Sequence, residues 1–287
     1  MKRCTAIAAF LCLAAPVAHG AEGWRYGLSA DAVHDSNATR GLYDGKKSDN
    51  IVALEGSATR SLLLGPSSGA LFRAAARYSH FTDIKDVSNL ALVGRASWRY
   101  QPSREFGALW YELAGQVQLL RHADSKIRDG GILTLEAGVG SHVTDRVRLT
   151  AGLGFDERSS DGAAGVYDLS NNRIWGAVDY RLGARNLFYA RLTHQTGDQV
   201  FNVIPALNLG VWDLDPALTD VYGAPGNAYR VDATTMVYEL GFNYPLASGQ
   251  ALDFSFTRIS AKAEEGPAQG NKYNVNQLRA TYLYRFQ

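Results

Sequence analysis

Polar and apolar side chains alternate through most of the chain, and this period of two constrains the fold more than any other feature. In residues 273–286, Leu278 and Tyr282 face one way, whereas Gln277 and Arg279 face the other. Alternation over ten or more residues predicts a β-strand, because successive side chains of a strand point to opposite faces. The same test predicts twelve strands, at residues 24–34, 50–63, 69–80, 88–100, 107–120, 130–143, 147–157, 171–182, 187–197, 231–244, 250–260 and 273–286.

The connections between these segments alternate between short turns and longer polar loops, the latter at residues 35–49, 81–87, 121–129, 158–170, 198–230 and 261–272. This asymmetry is typical of transmembrane β-barrels, whose strands have about ten residues. Aromatic side chains such as Trp98 and Tyr100, near short-turn ends of the apolar face, suit a membrane–water boundary. We therefore expect an all-β fold: an antiparallel transmembrane β-barrel of about 12 strands, with short periplasmic turns and longer extracellular loops.

The N-terminus reads MKRCTAIAAFLCLAAPVAHG, with a short basic region, an apolar stretch and a small-residue cleavage site. This order predicts a secretory signal peptide at residues 1–20, followed by an outer-membrane β-barrel domain at residues 21–287. Both cysteines, Cys4 and Cys12, fall in the signal peptide, so we expect no disulfide, no cysteine metal site and no cofactor. The 29 basic and 28 acidic residues nearly balance, which predicts no nucleic-acid partner.

The last strand ends in Tyr282-x-Tyr284-x-Phe286, which resembles the terminal signal of bacterial outer-membrane β-barrel proteins. That class usually stops on the aromatic residue, whereas this chain continues to Gln287. The segments DSNATR (35–40) and DYRLGARNLFYARLTHQTGD (179–198) resemble those of a poorly characterised proteobacterial barrel family, some members of which are linked to export or surface assembly. The resemblance implies the outer membrane of a Gram-negative cell, with outer-membrane lipids as partners. No outward row of side chains predicts an oligomeric partner.

The polar row of each strand would face the lumen, and its charged side chains imply water or mutual pairing inside. Near mid-height we expect seven pore-lining residues: Arg77, Arg95, Arg191, Arg279, Glu55, Glu136 and Glu239. Their arginine bias favours a passive, porin-like diffusion channel for small or anionic solutes. In strand count and charge type the chain resembles twelve-stranded channels for acidic oligosaccharides. The alternative is that arginine and glutamate pair across the lumen and close it, giving a non-conducting structural or export-associated barrel.

Loop 198–230 is the longest and least polar connection, and it contains VIPALNLGVW at residues 203–212. It could fold inward as a constriction or plug. Asp213-x-Asp215 could hold Ca²⁺, but it lacks the glycine and distal glutamate of an EF-hand loop. We therefore expect a solvated loop and no metal site.

The stretch His34-Asp35-Ser36-Asn37 allows a second hypothesis. It resembles the H-x-S-N signature of outer-membrane lipid hydrolases, which implies His34 as base, Ser36 as nucleophile and Asn37 as an oxyanion donor. Asp49 or Asn50 could orient the histidine. Asp-Ser-Asn at a strand end is also ordinary loop chemistry, since these side chains bond to their own backbone. We favour the loop interpretation and expect no enzymatic activity.

Overall fold

The computed structural model describes residues 23–42, 45–162, 165–183, 185–203, 217–218, 221, 227–265 and 268–286. The predicted signal peptide at residues 1–20 lies outside this part of the chain. The strands are β1 (Arg25–Asp35), β2 (Asp49–Gly65), β3 (Ser68–Phe81), β4 (Asn89–Tyr100), β5 (Trp110–His122), β6 (Gly130–His142), β7 (Val147–Ser160), β8 (Leu169–Leu182), β9 (Asn186–Val203), β10 (Ala217–Leu218), β11 (Asn227–Ala247), β12 (Gln250–Ala263) and β13 (Lys272–Arg285). Single 3₁₀ turns lie at Lys85–Val87 and Lys126–Arg128, and no described helix is long and apolar enough to cross a membrane.

Twelve long antiparallel strands close into a barrel. Consecutive strands pair from β1 to β9, β9 pairs with β11, and β13 pairs back with β1. The two-residue strand β10 pairs only with the start of β11. The twelve-stranded antiparallel barrel predicted from the alternation is therefore confirmed.

The pairing register sorts each of the twelve long strands into a mainly apolar row and a mainly polar row. Large apolar side chains lie exposed on the outer surface, as for Leu54 and Leu153, each 60% accessible. The intervening residues face inward and carry the charges. A one-residue slip would exchange the rows, so the alternation of the sequence fixes the register.

The predicted loop 198–230 is too long at both ends, because β9 runs to Val203 and β11 begins at Asn227. Pairing between β8 and β9 stops at Asn171 and Gly197. Beyond this point β9 and β11 remain paired with each other and continue as a two-stranded ribbon. We call residues 198–203 and 227–232 the outer ribbon. Apolar and polar side chains still alternate in the outer ribbon, and the side chains on its inward face pack on an apolar surface.

That surface is a buried apolar cluster inside the long-loop end of the barrel. Phe201 of the outer ribbon contacts Tyr273 edge-on, with ring centroids 5.0 Å apart. The cluster members come from β9, β11, β12, β13 and two loops: Leu42, Phe201, Val203, Tyr229, Val231, Ala233, Ala261, Ala263, Ala268, Tyr273 and Val275. One side of this end is therefore filled by packed side chains.

The buried carboxylate of Asp49 organises the loop between β3 and β4. It accepts hydrogen bonds from the backbone N–H groups of Asp83 (3.0 Å) and Ile84 (2.9 Å). The N–H of Thr82 also bonds to it, at 3.0 Å, but bonds to the carbonyl oxygen of Asn50 as well.

Replacing Asp49 by alanine should therefore release two amides and leave a third held. Hydrogen bonds to a charged group contribute about 1.5–3 kcal/mol each. We expect hydrogen exchange at Asp83 and Ile84 to accelerate by about tenfold or more, with a smaller change at Thr82. Asp49→Asn keeps one acceptor oxygen and should show an intermediate effect. Equal acceleration at all three amides would contradict this assignment.

Candidate functional site

The inner wall of the barrel carries one carboxylate shared by three arginines. Glu136 of β6 accepts from Arg95 of β4, with Nη1 and Oε2 3.0 Å apart, and from Arg173 of β8, with Nη2 and Oε1 2.9 Å apart. The guanidinium of Arg191 on β9 lies 4.0 Å from the same carboxylate. Arg95 and Arg173 also pair with Glu112 and Asp156, so the charged side chains of this part of the wall form one connected network.

Further ion pairs extend along the wall in both directions. Arg99 binds Glu112 at 2.7 Å and Arg173 binds Asp156. Near β1, the Arg77 guanidinium lies 2.5 Å from the carboxylate of Asp31. The remaining inward pairs are Arg73 with Glu55, Arg95 with Glu112 and Arg148 with Asp179. Within the described ranges, each inward pair joins strands at most three apart, so the pairing follows the wall instead of crossing to the opposite side.

Small residues let the long inward side chains lie flat. Arg173 crosses β7 above Gly154, where an added Cβ would lie 2.6 Å from its Nε atom. The Trp175 ring lies on Gly152, where an added Cβ would be 2.6 Å from its Cζ2 atom. Two other inward rings cover glycines in the same way: Trp110 covers Gly140 and Tyr189 covers Gly241. A larger residue at any of these glycines would push the side chain above it away from the wall.

Two of these rings also stack against the guanidinium groups of arginines. The guanidinium carbon of Arg191 lies 4.4 Å from the centre of the Trp175 ring, and that of Arg99 lies 4.3 Å from the centre of the Trp110 ring. Stacking of this kind is favourable because the ring face is electron-rich. The Arg173 side chain remains 16% accessible and that of Arg191 37% accessible, so neighbouring side chains cover neither of them completely.

The outer ribbon approaches the middle of the long-loop end. One of its faces packs on β12 and β13, and Val200 and Ala228 on its other face contact Ile127 and Tyr167, from the loops after β5 and β7. Val221, in the connection between β9 and β11, packs on the loop between β3 and β4, six strands away around the barrel. The described part of this connection therefore reaches across the mouth.

Comparison with known proteins agrees with this architecture. The model of a family described as "outer membrane protein beta-barrel domain" matches residues 113–286, more than half of the chain. The chain belongs to this family of outer-membrane β-barrels. A comparison with curated proteins gives no match. An outer-membrane channel from Pseudomonas putida F1 superposes with a TM-score of 0.58 at 10% identity, covering 94% of this chain and all of that one. The KdgM porin gives a TM-score of 0.45 at 9% identity, covering 90% and 99% of the two chains.

Membership of this family places the barrel in the bacterial outer membrane, with the exposed apolar rows against lipid and the long loops outside the cell. The aromatic residues predicted for the membrane boundary are exposed near the short-turn end, as for Trp98, Tyr100 and Tyr111.

The seven predicted pore-lining residues all lie on inward rows. The structure brings Arg95, Glu136 and Arg191 together, and it pairs Arg77 with Asp31 and Glu55 with Arg73. Arg279 and Glu239 form no ion pair with any described residue, although Glu239 is the register partner of Arg191.

Asp31 and Trp175 contribute to this wall but are not among the predicted pore-lining residues. Both lie on inward rows, and the alternation that identified their neighbours could have identified them. Their roles depend on partners from other strands, because Asp31 needs Arg77 of β3 and Trp175 needs Gly152 of β7.

Of the candidate hydrolase residues, His34 contacts Asn50, one of the two residues suggested to orient it, whereas Ser36 and Asn37 have partners outside the proposed catalytic arrangement. His34 Nδ1 lies 2.9 Å from Asn50 Oδ1, and the Ser36 hydroxyl oxygen accepts a 2.8 Å bond from the backbone of Asn276. Among the described hydrogen bonds, none joins His34 to Ser36. Asn37 is buried, and its amide oxygen accepts from Thr39 and the Gly41 N–H. The hydrolase hypothesis stays a prediction without a contact between nucleophile and base.

The proposed calcium ligands Asp213 and Asp215 lie outside the described residues. Elsewhere in the described chain, no group of three or more histidine, cysteine, aspartate or glutamate side chains is arranged to hold a metal ion.

The close fit of Trp175 on the wall predicts that Gly152→Ala destabilises the barrel. The new Cβ would lie 2.5 Å from the Ala137 carbonyl oxygen and 2.6 Å from the Trp175 ring, and overpacking of this kind costs about 1–3 kcal/mol. The matched control is Gly94→Ala, whose Cβ would meet nothing within 4 Å. Denaturant unfolding in lipid vesicles, followed by tryptophan fluorescence, measures both. Equal stabilities of the two variants would refute the packing account.

Proposed function

We propose that this outer-membrane barrel is a passive diffusion channel for small solutes, with a preference for anions. The observation that carries the proposal is the flat arrangement of the inward side chains. Arginines and aromatic rings at mid-height lie on glycines of the neighbouring strands, and the ion pairs run along the wall.

Barrel size and charge hydration support an aqueous lumen. Eight-stranded barrels are just filled by their side chains, whereas sixteen-stranded porins leave an open channel. A barrel of twelve strands encloses an intermediate space, and side chains that lie flat leave more of it free. Burying ion pairs in a dry interior would cost several kcal/mol per ion, so the partly accessible charges of this wall favour contact with water.

The anion preference follows from the distribution of charge. Among the described residues, the only ion-pair partner of Arg191 is Glu136 at 4.0 Å, and Glu136 already binds Arg95 and Arg173. The Arg279 guanidinium has no ion-pair partner among the described residues, and its side chain is exposed. Cationic rings lining a pore favour anionic solutes, and small carboxylates or acidic oligosaccharides have this chemistry. The outer ribbon narrows the mouth, which favours small or extended molecules.

Single-channel recording in planar bilayers, with protein extracted from outer membranes and a salt gradient, tests this function. We expect discrete current steps and a reversal potential shifted toward that of chloride. Arg279→Gln should lower the ratio of anion to cation permeability by about twofold, equivalent to ~0.4 kcal/mol, because it removes a cation that faces the lumen.

The matched control is Arg60→Gln, which removes the same charge from the outward row of β2 and should leave selectivity unchanged. Cation selectivity of the unmodified protein would contradict the anion preference. Silence from folded protein would contradict the channel and favour a non-conducting structural or export-associated barrel.

A further inference from the structure

The outer ribbon has one edge that the barrel leaves unpaired, and the first outer loop pairs with it. Beyond Gly197, β9 has no β8 partner. There the N–H of Asn202 donates to the Arg40 carbonyl oxygen at 3.2 Å, and the N–H of Leu42 donates to the Asn202 carbonyl oxygen at 3.1 Å. The Asn202 side-chain amide adds a 2.6 Å bond to the Thr39 carbonyl oxygen. A loop between β1 and β2 thus contacts a strand four positions away around the barrel.

This part of the first loop has its own internal structure. The buried Asn37 amide oxygen accepts from the Gly41 N–H at 2.9 Å and from the Thr39 hydroxyl at 3.0 Å. The buried Asp35 carboxylate binds Arg40 at 2.9 Å, and Arg40 adopts a left-handed backbone with φ of 53°. Residues other than glycine adopt this conformation only where the surroundings hold them. Segment 36–42 is therefore shaped to present its backbone to Asn202.

Leu42 completes the contact. Its side chain is 1% accessible and lies in the apolar cluster with Phe201 of the ribbon and Tyr273 of β13. These loop contacts lie above the closed ring of twelve strands, so their loss would leave the strand pairing of the wall intact. Contacts that can be broken without unfolding the wall are suited to a two-state element.

We propose that segment 36–42 is a latch that holds the outer ribbon across the extracellular mouth, so that release of Leu42 and Asn202 opens the path to the lumen. The regulatory part rests on the proposed channel function. The latch itself is a structural contact that can be measured without any current.

Current recording tests the regulation. Gly41 and Asn202 pair across an isolated parallel bridge, and the close approach of bridged Cα atoms suits a disulfide. In a Gly41→Cys/Asn202→Cys variant, oxidation should lower the open probability at least fivefold, and a reductant should restore it. Asn202→Ala should raise the open probability severalfold, because the bond to Thr39 is lost. Unchanged open probability in the oxidised and Asn202→Ala proteins would overturn the proposal.

Thiol labelling tests the latch independently. Ala261 is inaccessible within the cluster, so in an Ala261→Cys variant a membrane-impermeant maleimide should react slowly, as measured by mass spectrometry of the labelled peptide. Adding Asn202→Ala should accelerate labelling severalfold. Adding Leu120→Ala, a buried site on β5 outside the three apolar clusters, should not. Equal labelling with and without Asn202→Ala would refute the latch, whereas silent recordings with accelerated labelling would refute only the channel.

Discussion

Hydrogen bonding of the backbone in hydrocarbon is the constraint on which this structure depends. A lipid interior offers no partner for an unpaired N–H or C=O group, so strands cross a membrane only when every edge is closed. Here closure comes from the pairing of β13 with β1 and of β9 with β11. Once the ring is closed, alternation assigns each residue to lipid or lumen, and the composition of the two rows follows. The outer ribbon lies beyond this ring, where the lipid constraint no longer applies, and its β9 edge pairs with the first loop.

The inward rows place many charged side chains on a narrow wall, and glycines on the neighbouring strands make room for these side chains. Gly154 lets Arg173 reach Glu136 across β7, and Gly152 and Gly138 make room for the Trp175 ring on which Arg191 lies. The guanidinium groups of Arg173 and Arg191 thereby gain a carboxylate or an aromatic face while their side chains lie along the wall. The glycines of the inner wall are therefore as important for this arrangement as the arginines.

The parts of this structure that depend on local alternation could be predicted from the sequence. The twelve strands and the inward position of all seven predicted lining residues belong to this group. Specific pairs could not be predicted, because Arg95 and Glu136 meet across β5 only through the register of three strands. The sequence predicts a loop where the outer ribbon lies, since a short alternation at residues 198–203 gives little signal without its partner strand. The H-x-S-N pattern likewise suggests Asn37 as an oxyanion donor, whereas its burial shows only once the loop is folded around it and Thr39 and Gly41 bond to its amide oxygen.

We infer that one row of each long strand faces lipid and that the other faces water inside a hydrated lumen. Single cysteines at Phe254, Ser255, Phe256 and Thr257 of β12, labelled in outer-membrane vesicles with a small water-soluble thiol reagent, test it most directly. We expect reaction at 255 and 257 and protection at 254 and 256, where the side chains lie on the exposed apolar row. Protection at all four positions would indicate a dry, closed interior and contradict a hydrated lumen.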